Sequence, residues 1–510
     1  MITHIHSLTV NGLETTLVDI EVDINNGLPA FTIVWLPDQW VQESKERIRS
    51  ALKSSSARLP STRITVNLAP ASIKKTGPSF DLGIALGILT SEGYITNTDF
   101  FRDSIFLWEL SLDGKLRHIA GVLPATIGAQ EKGYKRIFLP PANALEASII
   151  PGIDIVSVES LRDLIDMCNG DKEVFLQTPL DFKSLGEKKQ HSVDFCHIIG
   201  QKFAKRALEI AAAGWHNLVM SGPPGSGKTL LAKAYASILP DLDLQEAIEI
   251  SKIYSVSGLL TSEQPIITER PFRVVHHTAS SMSIIGGGRN AKPGEISLAH
   301  KGVLFLDEIL EFPKTVLEVL RQPLEDGKIT VTRVNAAYEY PARFSLIAAM
   351  NPCPCGYLSD PDKDCICSPF QISAYQSRLS GPLIDRIDMF LEVPKVKTED
   401  FQKKQTEISE SSEVIKQRVE DAREIQRKRF IETMLTSNSE MMGKDIERFC
   451  PLEKDAEEIL KQAVQSFQLS ARSYFRILKL ARTIADLEKK DIIQNTHILE
   501  ALSYRKKQEW

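Results

Sequence analysis

The stretch Gly222-Pro223-Pro224-Gly225-Ser226-Gly227-Lys228-Thr229 constrains the chain more than any other. It has the pattern G-x-x-x-x-G-K-T, and its flanks supply the context that gives the pattern meaning. Asn217-Leu218-Val219-Met220 reads as a short buried strand, and Leu230 to Ala236 as a helix. A strand feeding a glycine loop that opens a helix lets backbone N–H groups close around phosphate oxygens, and the helix terminus adds partial positive charge. Lys228 is then placed to reach the β- and γ-phosphates of a nucleotide, and Thr229 to ligate Mg²⁺.

Two downstream strands are predicted to complete such a site. Lys301-Gly302-Val303-Leu304-Phe305-Leu306-Asp307-Glu308 is an apolar run ending in two carboxylates, and the run reads as a central parallel strand. Asp307 can hold Mg²⁺ through water, and Glu308 can polarise an attacking water. Phe344 to Met350 is a further buried strand, ending in the polar Asn351.

Composition bounds the alternatives. The chain has 510 residues, a hydrophobic fraction of 43% and a charged fraction of 25%, ordinary for a globular protein of two to four domains. No apolar run is long enough to span a membrane, and the first residues lack a basic segment followed by an apolar one. A cytoplasmic location is expected. Net charge is −5, so any nucleic-acid contact must use local basic loops. Seven cysteines argue against a secreted disulfide framework. Four of them form two C-x-C pairs, Cys353/Cys355 and Cys365/Cys367. Four thiolates in a short loop can make a closed, structural Zn²⁺ site with no open position for catalysis; free thiols and redox pairing are the alternatives.

The first 175 residues alternate strands and helices. Thr16 to Ile24 alternates apolar and polar residues, as a half-buried strand does. Phe31 to Val34, Arg63 to Leu68, Arg136 to Leu139 and Ile153 to Val158 are further strands, and Asp38 to Leu52 has helical spacing. Phe80 to Leu89 reads as a buried helix whose Gly83 and Gly87 imply close packing. Pro70 to Ser79, and Ile119-Ala120-Gly121 through Gly133 to Pro140, resemble the Lon-protease segments that carry a nucleophilic serine and its lysine base. Ser79 holds the serine position. Leu123 and Ala125 stand where Lon has lysines, and neither can take a proton. An inactive Lon-like domain is expected.

Leu28-Pro29, Leu36-Pro37-Asp38, Glu43-Ser44, Val66 to Ala71 and Phe80-Asp81-Leu82 match the ComM/YifB-type magnesium-chelatase-like AAA+ ATPase family. Trp35 and Trp40 depart from its pattern of small residues. The resemblance implies an α/β fold: a P-loop AAA+ core with a helical lid, preceded by an α+β Lon-protease-like (ribosomal S5 domain 2-like) domain. The expected divisions are 1–175, a linker at 176–193, the core at 194–395 with its cysteine loop at 353–367, and the lid at 396–510. Ile198-Ile199-Gly200-Gln201 resembles the adenine-side segment of AAA+ proteins.

The same resemblance assigns further roles. Asn351 matches sensor 1. Arg386 matches the arginine finger that reaches a neighbour's γ-phosphate, with Arg378 as the alternative. Arg472 matches sensor 2, with Arg476 in reserve. A finger supplied in trans implies a homo-oligomeric ring, usually of six subunits. Two basic loops, one with Arg289 and Lys292 and one a hairpin with Lys328 and Arg333, would face the pore and contact DNA phosphates. ATP and Mg²⁺ are the implied cofactors, and DNA, single-stranded or branched, the implied partner. The family includes a branch-migration motor of bacterial transformation. A chelatase-type motor acting on a protein partner is the second reading.

Overall fold

The computed structural model describes residues 2–34, 39–71, 79–185, 193–288, 291–333, 336–396 and 410–505. Trp35, Arg289 and the side chains of Trp40 and Arg333 fall outside this description. The chain forms two compact units. One is Met1–Glu187 with Asp243–Thr268, the other Lys188–Leu242 with Glu269–Trp510.

In the first unit, Thr3–Asn11, Glu14–Asn25, Arg63–Ala69 and Ala30–Val34 form a four-stranded sheet in that order. Its pairs are antiparallel except the last, which is parallel. The alternation in Glu14–Asn25 buries Val18, Ile20 and Val22 on one face. The helix Asp81–Ser91 covers that face and is buried from Asp81 to Leu89. Its glycines let the backbone approach the sheet: a Cβ at Gly87 would lie 2.4 Å from Val22 Cγ2 and 3.0 Å from Val22 Cβ. Arg47 anchors the start of this helix, donating to the buried Asp81 carboxylate from Nε at 2.6 Å and Nη2 at 3.2 Å. Three short parallel strands, Ser104–Phe106, Arg136–Leu139 and Asp154–Ser157, form a second sheet. Leu123 and Ala125 lie in the helix Val122–Glu131 and are fully buried. Neither position carries a group that could take a proton.

Asp243–Thr268 belongs to this first unit although it lies between the glycine loop and Asp307 in sequence. Its helix Leu244–Ser257 starts at Asp243, whose side chain accepts from Glu246 N–H, an N-cap. Its far end is tied down by polar contacts. The Ser255 carbonyl accepts from Gly121 N–H at 3.0 Å, and the buried Glu146 carboxylate accepts from the Ser255 hydroxyl. Glu146 also accepts from Leu123 N–H at 3.0 Å and Asn143 Nδ2 at 3.1 Å. Burial pushes the Glu146 carboxyl pKa up, and these hydrogen bonds oppose the shift.

The second unit is built on five parallel strands in the order Phe272–Val275, Val303–Leu306, Ser345–Met350, Leu218–Ser221, Met389–Glu392. The helix Lys202–Gly214 and the C-terminal helices share one hydrophobic core with this sheet. Ser412–Arg429, Lys454–Phe467, Ala471–Leu487 and Asn495–Ser503 are the main C-terminal helices. His216 Nε2 lies 2.8 Å from the Thr483 hydroxyl, and Gln426 Nε2 donates to the Ala213 carbonyl at 2.9 Å. These contacts fasten two C-terminal helices to the segment entering Leu218–Ser221. The hairpin Lys328–Arg333/Ala336–Pro341 precedes Ser345–Met350.

The contact at Gly87 yields a prediction. Gly87→Ala places a methyl group against the branched Val22 side chain, an overpacking that costs about 1–3 kcal/mol. Its thermal unfolding midpoint should fall below that of the parent chain; an unchanged midpoint would contradict this packing.

Candidate functional site

In an open parallel sheet, ligands bind beyond the carboxyl ends of the strands. Three such ends meet here. Ser221 pairs with Met350, and Leu306 with Ala348, so Gly222, Asn351 and Asp307 leave the sheet on one edge. Gly222 is pressed against the next strand's exit: a Cβ there would lie 2.2 Å from the Val393 carbonyl oxygen. Gly225 and Gly227 hold φ of +78° and +90°, a region that favours glycine. The helix Lys228–Tyr235 starts immediately after.

The side chains expected to act together are brought together. Thr229 Oγ1 donates to Asp307 Oδ2 at 3.0 Å. Lys228 Nζ donates to the Gly222 and Pro223 carbonyls at 2.7 and 3.0 Å, and lies 3.5 Å from Asn351 Oδ1. Burial lowers the Lys228 pKa, and the charges of Asp307 and Glu308 oppose that shift. Pro224, Gly225, Ser226, Gly227, Lys228 and Thr229 line a cleft of about 390 Å³ with Asp307, Glu308 and Asn351. Glu308 sits at φ +54°. Its Oε2 lies 3.3 Å from His277 Nδ1, a neighbour that the sequence reading did not single out. His277 follows the strand Phe272–Val275, which pairs with Val303–Leu306.

A second cleft, of about 550 Å³, includes Gln201, Ser221, Ser359 and the Glu392–Val396 segment in its lining. Gln201 holds φ +52° and donates from Nε2 to the Pro394 carbonyl at 2.7 Å. Ser221 links this cleft to the glycine loop, which it immediately precedes. The Gly200-Gln201 turn expected on the adenine side thus borders a cavity.

The arginines lie elsewhere. Arg386 and Arg472 line a cleft of about 630 Å³, and neither lines the glycine-loop cleft. Arg386 is ion-paired with Glu325, donates to the Pro382 carbonyl at 2.6 Å, and is 14% exposed. Arg472 pairs with Asp385 at 3.0 Å and is 62% exposed. Arg476 is used internally, donating to the Ile384 and Ile387 carbonyls at 3.1 and 2.6 Å. Arg378 is held by Glu311 Oε2 at 3.1 Å and the Leu310 carbonyl at 3.0 Å. Lys328 pairs with Glu339 across the hairpin at 3.0 Å, which offsets the positive charge expected there. Lys292 lies on a short strand facing Gly286–Gly287.

The four cysteines of the 353–367 loop converge. Their sulfurs all lie within 4.8 Å of one another. Cys353–Cys355 is 3.3 Å, and Cys353–Cys365 and Cys355–Cys365 are both 3.6 Å. A sulfur tetrahedron around Zn²⁺ has edges of about 3.8 Å, so the donor set fits that metal. Hydrogen bonding from Tyr357 N–H leads the causes that pull the Cys355 thiol pKa down to about 6.

Comparisons with known proteins agree with this architecture. The family profile for magnesium chelatase subunit ChlI matches residues 194–401. Two related ChlI profiles match 20–143 and 409–505. Competence protein ComM of Haemophilus influenzae is 42% identical over 504 residues, covering 98% of this chain and 97% of the relative. YifB of Escherichia coli is 40% identical over 501 residues, covering 98% and 96%. The magnesium-chelatase 38 kDa subunit of Rhodobacter capsulatus is 25% identical over 183 residues, covering 33% and 52%. The mixed α/β fold with its parallel sheet is consistent with a P-loop AAA+ core, and no helix among the described residues is long and apolar enough to cross a membrane. With near full-length identity to ComM and YifB, the chain belongs to the ComM/YifB-type magnesium-chelatase-like family.

Proposed function

We propose that the chain is an ATP-hydrolysing ring motor that acts on DNA, with a branch-migration, helicase-like role in recombination or transformation. The observation that carries the ATPase part is the convergence of Lys228, Thr229, Asp307, Glu308 and Asn351 on one cleft. The DNA part rests on near full-length identity to a relative named a competence protein.

The chemistry follows from the side chains. Backbone N–H groups of Gly225 to Thr229 cradle phosphate oxygens, and Lys228 exchanges its carbonyl partners for them. The Thr229 hydroxyl and Asp307 carboxylate, 3.0 Å apart, are hard oxygen donors suited to Mg²⁺. Mg²⁺ held by these two oxygens would supply positive charge to offset that of the phosphates. Glu308 orients and polarises the attacking water, and Asn351 helps to position it. Arg386 and Arg472, remote from their own glycine loop, complete a neighbouring subunit's site. Such a head-to-tail interface closes into a ring, and six subunits are the expected number. The four clustered thiols hold structural zinc. The N-terminal Lon-like domain is inactive, because Leu123 and Ala125 supply no base.

A chelatase-type motor acting on a protein partner is the second reading, favoured by the match to the ChlI profile. DNA separates the two. Single-stranded or branched DNA should raise the rate of ATP hydrolysis by the purified protein; a rate insensitive to every DNA would favour the protein-remodelling reading.

Two substitutions divide binding from chemistry. Lys228→Ala should weaken ATP binding. Glu308→Gln should bind ATP normally yet lower turnover by about a hundredfold or more, the scale of a lost general base. Near-parental turnover in Glu308→Gln would remove Glu308 from its assigned role.

A further inference from the structure

The cysteine loop reaches two clefts of the second unit, the glycine-loop cleft through Asn351 and the Gln201 cleft through Ser359. It leaves the sheet at Asn351 and contains no helix or strand before Pro369. Such a long irregular segment needs something other than backbone ladders to hold its shape. At its start, Gly356 holds φ +85° and faces the glycine loop: a Cβ there would lie 2.8 Å from Pro224 Cδ and 2.9 Å from Pro224 Cγ. Further along, Ser359 lines the second cleft with Lys395. Lys395 Nζ holds the loop there, 2.6 Å from Asp362 Oδ2 and 3.8 Å from Asp360 Oδ1. Gln376 Nε2 donates to the Pro352 carbonyl at 2.9 Å. The two cysteine pairs flank the Gly356, Ser359, Asp360 and Asp362 contacts in sequence, and the four sulfurs, all free of disulfides, lie within 4.8 Å of one another.

We propose that one Zn²⁺ held by Cys353, Cys355, Cys365 and Cys367 braces this loop against Pro224 and beside the second cleft, so that nucleotide affinity depends on the metal. Metal binding by a segment without a regular fold is folding free energy for that segment. Without the metal, the loop samples arrangements in which Gly356 no longer supports Pro224 and Ser359 no longer walls the second cleft. Affinity then falls by the fraction of time the competent arrangement is kept. If that fraction is about one tenth, the apparent dissociation constant rises about tenfold. The coupling rests on the nucleotide-site reading above; the metal site does not.

The test uses the full chain purified without chelator. Zinc is measured by mass spectrometry, and a fluorescent ATP analogue is titrated in excess Mg²⁺. Zinc is then withdrawn with a mercurial thiol reagent and a chelator, both are removed under reducing conditions, and the titration is repeated before and after zinc is returned. The expected result is about one zinc per chain, a roughly tenfold loss of affinity on withdrawal, and recovery with Zn²⁺ but not with more Mg²⁺. Gly356→Ala, which keeps all four thiols, should retain zinc and still bind the analogue more weakly. Zinc-free reduced protein as purified would overturn the metal site. Equal affinity with and without zinc, or an unaltered Gly356→Ala, would overturn the brace. Zinc-loaded protein that binds no nucleotide at all would instead defeat the nucleotide-site reading, and the brace with it.

Discussion

The place of Ser345–Met350 between Leu218–Ser221 and Val303–Leu306 governs the rest of the second unit. Only with that strand in the middle do Asn351, the glycine loop and the two carboxylates leave the sheet on one edge. The hydrogen bond from Thr229 to Asp307 and the approach of Lys228 to Asn351 follow from the sheet order. The strands are fully buried, so a one-residue slip would exchange the faces of Leu346, Ile347 and Ala348. Hydrophobic packing thereby fixes the polar geometry. Gly222 adds a steric lock, because any side chain there would strike the Val393 carbonyl.

The same core places the arginines away from this edge. Ala471–Leu487 packs into the sheet's hydrophobic cluster and is tied to His216 through Thr483. Its first turn carries Arg472 to Asp385, beside Arg386. Lys228 and the arginines thus line different clefts; in the proposed ring, rotation would bring the lysine of one subunit and the arginines of its neighbour to a shared interface.

Much of the glycine-loop cleft was legible in the sequence because its signals are local. A glycine loop between a strand and a helix, an apolar run ending in Asp307-Glu308, and a buried strand ending in Asn351 each fit within about ten residues. What escaped depends on distant partners. Asp385 and Asp388 stand beside Arg386 in sequence, yet its guanidinium pairs with Glu325. Asp388 turns instead to Asn217 N–H at 3.0 Å. His277 reaches Glu308 only because their strands are adjacent in the sheet. The helix Leu244–Ser257 joins the first unit through Gly121, Leu123 and Glu146, contacts that no local pattern announces. The close approach at Gly83 and Gly87, by contrast, was readable, since glycine inside an apolar helix is costly unless something packs there.

In the proposed ring, a complete site needs residues from two subunits. The most direct measurement of this sharing mixes two variants, Lys228→Ala and Arg386→Ala, each deficient in ATP hydrolysis alone. In a mixed ring, some interfaces join an intact glycine loop from one subunit to an intact Arg386 from its neighbour. Hydrolysis by the mixture should exceed the sum of the two variants measured separately. A mixture no more active than that sum, with co-assembly verified by a tag on one variant, would contradict a shared site.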